Sequence, residues 1–222
     1  MSKAIARPKA ILFDWDNTLV DTWRCIGKAT NLTREAMGLQ PWTNKEMRKY
    51  VAGSLRDTFP IHFGNRWEEA RDIFYREFKA HHIAMLDVLP NSEDMLRFAS
   101  EKGIRLGVVS NKTGEYLRDE ATHLGWTKYF GRLVGAQDAA RDKPAVDPVH
   151  LALKDSGIVA GPDVWFVGDA PIDVTCGRAA GCTTLVYGHN DHPKHWELDE
   201  TSRADHYILN HNALISFIQS TL

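Results

Sequence analysis

The chain has 222 residues and a formal net charge of −2, with 43% hydrophobic and 25% charged residues. This composition is typical of globular proteins and excludes disordered, collagen-like and coiled-coil chains. The length predicts one or two domains. Because the net charge is close to zero, no overall basic field favours nucleic acid, and we expect no nucleic-acid partner.

Cysteine content and the length of apolar runs bear on the compartment. Cys25, Cys176 and Cys182 are odd in number and widely spaced, which disfavours both a disulfide framework and a cysteine zinc site. No apolar run approaches the roughly 18 residues of a membrane span, and Ala10–Phe13 is too short for a signal peptide. We therefore expect a cytoplasmic protein with no membrane partner. The sequence leaves open whether it is a monomer or a homodimer.

Short apolar runs bounded by turn residues recur along the chain and predict buried strands. In chain order these runs are Ala10–Phe13, Arg105–Val109, Arg132–Val134, Val164–Val167 and Thr183–Val186. Helical patterns lie between most of them, for example over Ser92–Lys102 and Tyr116–Leu124, and each of these two is followed by a glycine. Strands that alternate with helices predict an α/β fold with a parallel sheet.

One segment interrupts this alternation. Residues from about 22 to 86 carry helical patterns, including a capping box at Thr43–Glu46, and no convincing strand. We predict an all-α domain at residues 21–87, with the α/β core formed by residues 1–20 and 88–222. Between residues 22 and 85 there are eleven lysines and arginines but seven acidic residues. A basic insert of this kind suits an anionic substrate, although the same charges are also typical of solvated helix surfaces.

Polar residues directly follow three of the predicted strands. Asp14 and Asp16 follow the first strand, Ser110 follows the second, and Asp169 with Asp173 follows the fourth. Because ligands of open parallel sheets bind at the carboxyl ends of the strands, we expect these side chains to share one edge. Four acids at one edge repel each other unless they share a cation. Carboxylates suit Mg²⁺, whereas zinc prefers histidine or cysteine ligands.

Two acids two residues apart at a strand end can also divide chemical work. One carboxylate can attack phosphorus and form an aspartyl-phosphate. The other can protonate the leaving oxygen and then activate water. Asp14 and Asp16 could instead merely cap a turn, but the acids after the other strands make this alternative the weaker one.

These residues resemble the four motifs of the haloacid dehalogenase-like hydrolase superfamily, in the family's order. Asp14–Asp21, which reads DWDNTLVD, resembles the first motif, DxDxT, and Ser110 resembles the second. Lys143 resembles the third motif, and Gly168–Asp173, which reads GDAPID, resembles the fourth. The branch that the chain resembles most is that of the phosphoglycolate phosphatases. The resemblance implies a doubly wound, Rossmann-like sheet with an inserted all-α cap of the family's first type.

The resemblance also implies an activity and a role for each matching residue. The implied activity is Mg²⁺-dependent hydrolysis of a small phosphorylated metabolite, phosphoglycolate-like or a sugar phosphate, through an aspartyl-phosphate. Asp14 would be the nucleophile and Asp16 the general acid and base. The phosphoryl group would be held by Ser110, Asn111 and Lys143. The Mg²⁺ ligands would be Asp14, Asp16 through its backbone carbonyl, Asp169 and Asp173.

Substrate selection is implied to come from the cap. The short turn with Ser54 and Arg56 resembles the family's substrate-specificity loop. Trp15 is bulkier than the residue usual between the two acids, and Asn17 stands where glycine is common. These two departures would reshape the mouth of the site without removing a reacting group.

Other functions stay open at this stage. Asp16 disfavours carbon–halogen cleavage, because the dehalogenases lack this second acid. A phosphonate hydrolase would need a cap lysine, which Lys28, Lys45 or Lys49 could supply, and a sugar-phosphate mutase fits the same motifs. A receiver-like phospho-acceptor module and a non-catalytic binding protein are further alternatives. His189, His192 and His195 are predicted to lie in a solvated loop, because Pro193 interrupts any helix that would align them.

Overall fold

A computed structural model describes residues 5–51, 55–188 and 203–222, without the side chains of Arg48, Arg56 and Asp57. The chain divides into two compact units. One comprises Met1–Val20 together with Val88–Leu222, and the other comprises Asp21–Asp87. The chain therefore leaves the larger unit once and returns to it once.

The described residues form strands that build one large and one small sheet. In chain order they are β1 (Ala10–Phe13), β2 (Val20–Asp21), β3 (Asp87–Val88), β4 (Arg105–Thr113), β5 (Phe130–Ala136), β6 (Val164–Gly168), β7 (Thr183–Tyr187) and β8 (His206–Ile208). The large sheet has the order β5-β4-β1-β6-β7-β8, and all its neighbouring strands are parallel. The small sheet pairs β2 with β3.

The order of the large sheet determines where a ligand can bind. From β1, at the centre, the chain first adds β4 and β5 on one side and later adds β6, β7 and β8 on the other. The strand order reverses between β1 and β6, which is the position where doubly wound folds bind ligands outside the carboxyl ends of their strands. The predicted α/β fold with a doubly wound parallel sheet is confirmed.

The helices that follow Val88 in the chain cover both faces of this sheet, whereas the earlier ones belong to the smaller unit. In chain order the helices are α1 (Trp23–Ala36), α2 (Asn44–Tyr50), α3 (Leu55–Phe63), α4 (Trp67–His81), α5 (Ser92–Glu101), α6 (Gly114–His123), α7 (Asp147–Leu153), α8 (Pro171–Ala179) and α9 (His211–Gln219). Phe166 of β6 packs in one apolar cluster with Val149 of α7 and Cys176 of α8. Its neighbour Trp165 points to the other face, where its ring centroid lies 5.2 Å from that of Phe217 in α9. Among these described helices, none is both long and apolar enough to cross a membrane.

The observed strands differ from the predicted ones mainly in length. β1 has the predicted bounds, while β4 continues past Val109 to Thr113. Its register against β5 is irregular between Val109 and Thr113, so the added residues are not regular strand. β2, β3 and β8 were not predicted, because strands of two or three residues are too short to show a periodic pattern.

The smaller unit is helical, as its sequence pattern predicts. The capping box is present at the start of α2, where the Thr43 hydroxyl accepts from the Glu46 N–H and the Glu46 carboxylate accepts from the Thr43 N–H. In α4, Ala70, Phe74 and Phe78 form the buried face. Phe74 also contacts Phe59 of α3 edge to face, with ring centroids 5.6 Å apart. The unit is therefore held by an aromatic core of its own.

Candidate active site

The candidate site lies at the carboxyl edge of the large sheet, where β1 and β6 are neighbours. Asp14 directly follows β1 and is buried, with 7% of its surface exposed. Its backbone N–H donates to the carbonyl oxygen of Val167 in β6, at 2.9 Å. Asp169 directly follows β6. Two adjacent parallel strands thus deliver the two acids to the same edge.

A tight turn follows Asp14. The N–H groups of Leu19 and Val20 both donate to the carbonyl oxygen of Trp15, at 3.0 Å and 3.3 Å. Asn17 has a φ of 59°, in the left-handed region that favours glycine and that asparagine tolerates better than most residues. This explains why the turn accepts asparagine at the position where the first motif commonly has glycine.

Three carboxylates of the site are close enough to share one ion. Asp14, Asp169 and Asp173 each offer one oxygen, and these oxygens all lie within 4.8 Å of one another. Asp173 stands in the first turn of α8, where its Oδ2 accepts from the Ala170 N–H at 3.0 Å. Three oxygen donors of this kind fit a hard divalent cation such as Mg²⁺. The carboxylate of Asp16 is not in this group of three.

Lys143 connects the acids electrostatically. Its Nζ lies 2.7 Å from Oδ1 of Asp14 and 2.7 Å from Oδ1 of Asp173, and all three side chains are buried. Burial alone would lower the pKa of Lys143, but the charges of Asp14 and Asp173 outweigh burial and raise it. Lys143 is therefore a fixed positive charge beside the predicted nucleophile.

The side chain of Asn111 forms two hydrogen bonds with the backbone of Lys143. Its Oδ1 accepts from the Lys143 N–H at 3.0 Å, and its Nδ2 donates to the Lys143 carbonyl oxygen at 3.1 Å. The sequence predicts Asn111 as a phosphate-binding residue. In the structure these two hydrogen bonds fix the segment that carries the lysine.

The electrostatic environment disfavours ionisation of Asp14 and Asp169. Burial is the largest cause that raises the pKa of Asp14 to about 6, with Asp173 and Asp16 adding to it and Lys143 opposing it. Burial, followed by the charges of Asp173 and Asp14, raises the pKa of Asp169 well above its ordinary value. A bound cation would reverse these effects, because it favours the charged form of each acid.

Ser110 lies at the same edge, where the regular part of β4 ends. The residue is 4% exposed, and its Oγ accepts from the Lys112 N–H at 3.2 Å. Thr18 approaches from the turn after β1, with its Oγ1 3.5 Å from Oδ1 of Asp169. The structure thus brings Asp14, Asp169, Asp173 and Lys143 into one cluster. Asn111 holds the backbone of Lys143, Ser110 ends the regular part of β4, and Asp16 lies beside Lys112.

Sequence reasoning missed two charged residues behind the site. Lys112 lies with its Nζ 2.7 Å from Oδ1 of Asp16 and 2.6 Å from Oε2 of Glu120. Burial would lower the pKa of Lys112, but the charges of Asp16 and Glu120 raise it overall. Lys112 follows Ser110 and Asn111 directly in the sequence, which was an available signal. Glu120 gave none, because an acid on a helix is usually solvated.

A buried histidine, His211, supports the turn after β1. Nε2 of His211, at the start of α9, lies 2.9 Å from the Thr18 carbonyl oxygen, and its Nδ1 lies 2.9 Å from the Pro90 carbonyl oxygen. Ser92 donates from its Oγ to the carbonyl oxygen of Leu19 at 2.7 Å. Burial lowers the pKa of His211. The turn is thus tied to residues from two later segments of the larger unit.

Some residues named in the sequence-based predictions lie outside the part of the chain that the structure describes. Ser54 falls in the gap between residues 51 and 55, and the side chain of Arg56 is not described. His189, His192 and His195 fall between residues 188 and 203, outside the described ranges. The predicted specificity residues and the histidine-bearing loop therefore stay predictions.

Comparison with known proteins identifies the family. The model of the haloacid dehalogenase-like hydrolases matches residues 11–187. The chain is 31% identical to the N-acetylmuramic acid 6-phosphate phosphatase of Pseudomonas aeruginosa, over 87% of this chain and 89% of the relative. It is 29% identical to the phosphoglycolate phosphatase of Aquifex aeolicus, over 80% of this chain and 84% of the relative.

A solved structure shares the fold over nearly the whole chain. A haloacid dehalogenase-like hydrolase of Streptococcus pneumoniae superposes with a TM-score of 0.84 at 23% identity, covering 96% of this chain and 99% of that one. The family-model match and the curated relatives confirm the resemblance inferred from the four motifs. The chain belongs to the haloacid dehalogenase-like hydrolases, in the branch that contains the phosphoglycolate phosphatases.

Proposed function

We propose that the chain is a Mg²⁺-dependent phosphatase that acts on a small phosphorylated metabolite through an aspartyl-phosphate on Asp14. The named relatives are phosphatases, and the chain is accordingly a hydrolase of phosphoric monoester bonds. The observation that carries the proposal is the buried Asp14 carboxylate, which lies beside Lys143 and within 4.8 Å of the other two clustered acids.

The donor set fits a magnesium ion. We assign the ion to the carboxylates of Asp14 and Asp169 and to the backbone carbonyl of Asp16. Asp173 already accepts hydrogen bonds on both carboxylate oxygens, from Lys143 and from the Ala170 N–H, so contact through water suits it better than a direct bond. When bound, the ion neutralises the clustered acids and the phosphoryl oxygens of the substrate.

In the first step a carboxylate oxygen of Asp14 attacks phosphorus, and the bond from phosphorus to the leaving oxygen breaks. Asp16 donates a proton to that oxygen, so the product departs as a neutral alcohol. Lys143 and the hydroxyl of Ser110 offset the charge on the phosphoryl oxygens. Asp14 must be ionised in this step, and the positive charge of Lys143 beside it favours that form.

In the second step Asp16, now a carboxylate, accepts a proton from water while the water oxygen attacks phosphorus. The bond between Asp14 and phosphorus breaks, and inorganic phosphate is released. Asp14 returns as a carboxylate and Asp16 returns protonated, so the cycle closes.

We further propose that the helical unit, Asp21–Asp87, selects the substrate through Ser54 and Arg56. The excess of basic residues in this unit supports an anionic group on the substrate besides the phosphate. The named substrates of both relatives, N-acetylmuramic acid 6-phosphate and phosphoglycolate, carry a carboxylate in addition to the phosphate. A phosphorylated carboxylic acid is therefore the substrate class that we favour.

A panel of phosphomonoesters tests the proposal. It would contain 2-phosphoglycolate, sugar phosphates, nucleoside monophosphates and p-nitrophenyl phosphate, with release of inorganic phosphate measured with Mg²⁺ and after chelation. We expect phosphate release that depends on Mg²⁺ and is greatest for a phosphorylated carboxylic acid. Full activity after chelation would contradict the metal role, and isomerised product without phosphate release would indicate a mutase instead.

A further inference from the structure

Glu120 is a buried acid that lies behind the predicted acid/base residue, outside the acid cluster. It stands on the inner side of α6 and its side chain is fully buried. Its Oε2 lies 2.6 Å from Nζ of Lys112 and accepts from Nε1 of Trp15, also at 2.6 Å. Because a buried carboxylate costs free energy unless it is paired and hydrogen-bonded, these two contacts account for its presence there.

Lys112 links Glu120 to Asp16 in the candidate site. Its Nζ stands between two carboxylates, 2.6 Å from Glu120 and 2.7 Å from Oδ1 of Asp16. The Glu120 side chain is 0% exposed and the Lys112 side chain 4%, whereas that of Asp16 is 22% exposed. The Lys112 ammonium is thus held on one side by the fully buried Glu120 and contacts the partly exposed Asp16 on the other.

Trp15 also helps to hold the Glu120 carboxylate in place. Its ring packs edge to face against Trp126, with centroids 5.9 Å apart, and against Phe130, with centroids 6.3 Å apart. The indole nitrogen can only donate a hydrogen bond, so it orients the oxygen of Glu120 that also meets Lys112. Trp15, which lies between Asp14 and Asp16 in the sequence, is therefore linked to Asp16 through Glu120 and Lys112.

We propose that Glu120, Lys112 and Trp15 are positioning residues that hold the carboxylate of Asp16 where it exchanges a proton with the leaving oxygen and then with water. The inference rests on the proposed function. A general acid must lie about 2.6–3.2 Å from its proton acceptor, and Asp16 is otherwise repelled by the carboxylates around it. An ion pair to an anchored ammonium opposes this repulsion and restricts the orientation of the carboxylate.

The buried charges are weak evidence for a role in stability alone. Apolar side chains of similar volume often replace a buried ion pair without loss of stability. The network instead ends on Asp16, the predicted acid/base residue, which lies outside the group of three clustered carboxylates. A role in proton transfer accounts for that end point.

Leaving-group dependence separates positioning of Asp16 from general damage to the fold. p-Nitrophenyl phosphate releases a weakly basic phenolate that needs little protonation, whereas phenyl phosphate of similar size releases a more basic one. The variants are Lys112→Met with Glu120→Gln, Glu120→Gln alone and Trp15→Phe. The double variant removes one buried positive and one buried negative charge together, so the net charge of the network is unchanged.

We expect kcat/KM for phenyl phosphate to fall about tenfold to a hundredfold in the double variant, because general acid catalysis contributes about 10²–10⁴. We expect kcat/KM for p-nitrophenyl phosphate to stay within about threefold of wild type, while its kcat falls and a burst of nitrophenolate appears as the phosphoenzyme accumulates. Glu120→Gln and Trp15→Phe should change the kinetic constants for each substrate in the same direction as the double variant does, but by a smaller factor. They keep the test available if the double variant does not fold.

Two comparison variants make the result decisive. Arg118 lies on the same helix as Glu120, and Arg118→Gln removes an exposed ion pair to Asp138. This variant should leave kcat/KM for both substrates unchanged. Asp16→Asn should show the same leaving-group dependence more strongly, and its absence there would refute the acid/base role itself. If Asp16→Asn shows it and the network variants lose equal activity on both substrates, or lose none, the positioning role is overturned.

Discussion

Lys143 and Asp14 form a buried ion pair in which Nζ lies 2.7 Å from Oδ1, although the two residues are 129 positions apart in the chain. The same ammonium lies 2.7 Å from Asp173, so it joins the end of β1 to the start of α8. When the three clustered carboxylates are ionised, the one positive charge of Lys143 leaves the group negative overall. The site therefore retains an attraction for a divalent cation with Lys143 in place.

Removing the Asp14 carboxylate should abolish turnover without unfolding the protein. In Asp14→Asn, Lys143 keeps Asp173 as an ion-pair partner, and the side-chain volume hardly changes. We expect kcat to fall at least about a thousandfold, because a reaction loses most of its catalysis when its nucleophile is removed. Phosphate release and a thermal melt of the same preparation measure both effects. Turnover within tenfold of wild type would contradict the role of Asp14.

The contribution of Asp14 to the stability of the metal-free protein should fall as the pH rises towards 6. Folding raises the pKa of Asp14 from 3.8 to about 6, so between these values the folded state binds more protons than the unfolded state. Stability then decreases with increasing pH across that window, and the loss persists above it. The raised pKa of Asp169 acts in the same direction. Thermal melts in chelator from pH 4 to pH 8 measure this decrease.

Asp14→Asn provides the control for that measurement. Because asparagine does not titrate, the variant should lose less stability between pH 4 and pH 6 than wild type. Mg²⁺ added at pH 7.5 should raise the melting temperature of wild type more than that of the variant, since binding to the folded state alone stabilises it. Identical pH profiles for the two proteins would show that Asp14 does not carry the shift.

The Asp173 side chain packs so closely against position 168, at the end of β6, that glycine is the only residue type that fits there. A Cβ atom at this position would overlap the Cβ atom and the carboxyl group of Asp173. Gly168→Ala should therefore destabilise the protein by about 1–3 kcal/mol, as overpacking does, and weaken Mg²⁺ binding by displacing the acid. Chemical denaturation and calorimetric Mg²⁺ titration check the two effects.

Gly161→Ala is the matched control, because a Cβ atom there meets its nearest neighbour at an ordinary 3.6 Å. It should leave both stability and Mg²⁺ affinity close to wild type. If Gly168→Ala behaves like Gly161→Ala, the close approach of Asp173 to the strand does not matter for the site.

Arg56→Ala should change substrate preference more than general turnover. A charge-assisted contact to a substrate carboxylate contributes roughly 1.5–3 kcal/mol, which is about one to two decades in kcat/KM. We expect that loss for 2-phosphoglycolate and little loss for p-nitrophenyl phosphate. Arg76→Ala, at an exposed arginine of the same helical unit paired with Glu77, serves as control. Equal losses on both substrates would show that Arg56 supports the fold and not substrate choice.

The sequence predicted the parts of the molecule that depend on local pattern. β1 has the expected bounds because an apolar run ends abruptly at Asp14. The convergence of Asp14 and Asp169 followed from a general property of parallel sheets, namely that strand ends share one edge. The α2 capping box could be predicted because its two partners, Thr43 and Glu46, are three residues apart.

Contacts between distant segments could not be predicted in this way. The two hydrogen bonds between the Asn111 side chain and the backbone of Lys143 cross 32 positions, and no spacing in the sequence encodes them. Glu120 looks like any acid of an amphipathic helix until Trp15 and Lys112 are seen to converge on it. Buried polar networks depend on tertiary packing, and for that reason single-sequence patterns do not reveal them.

The central claim is that Asp14 carries the phosphoryl group during turnover. The direct measurement is rapid acid quench of wild type and Asp16→Asn during turnover of ³²P-labelled 2-phosphoglycolate, followed by mapping of the labelled peptide. We predict that the label lies on Asp14 and reaches a higher level in Asp16→Asn, where water is not activated. Label on any other residue, or turnover with no labelled protein in either enzyme, would contradict the account.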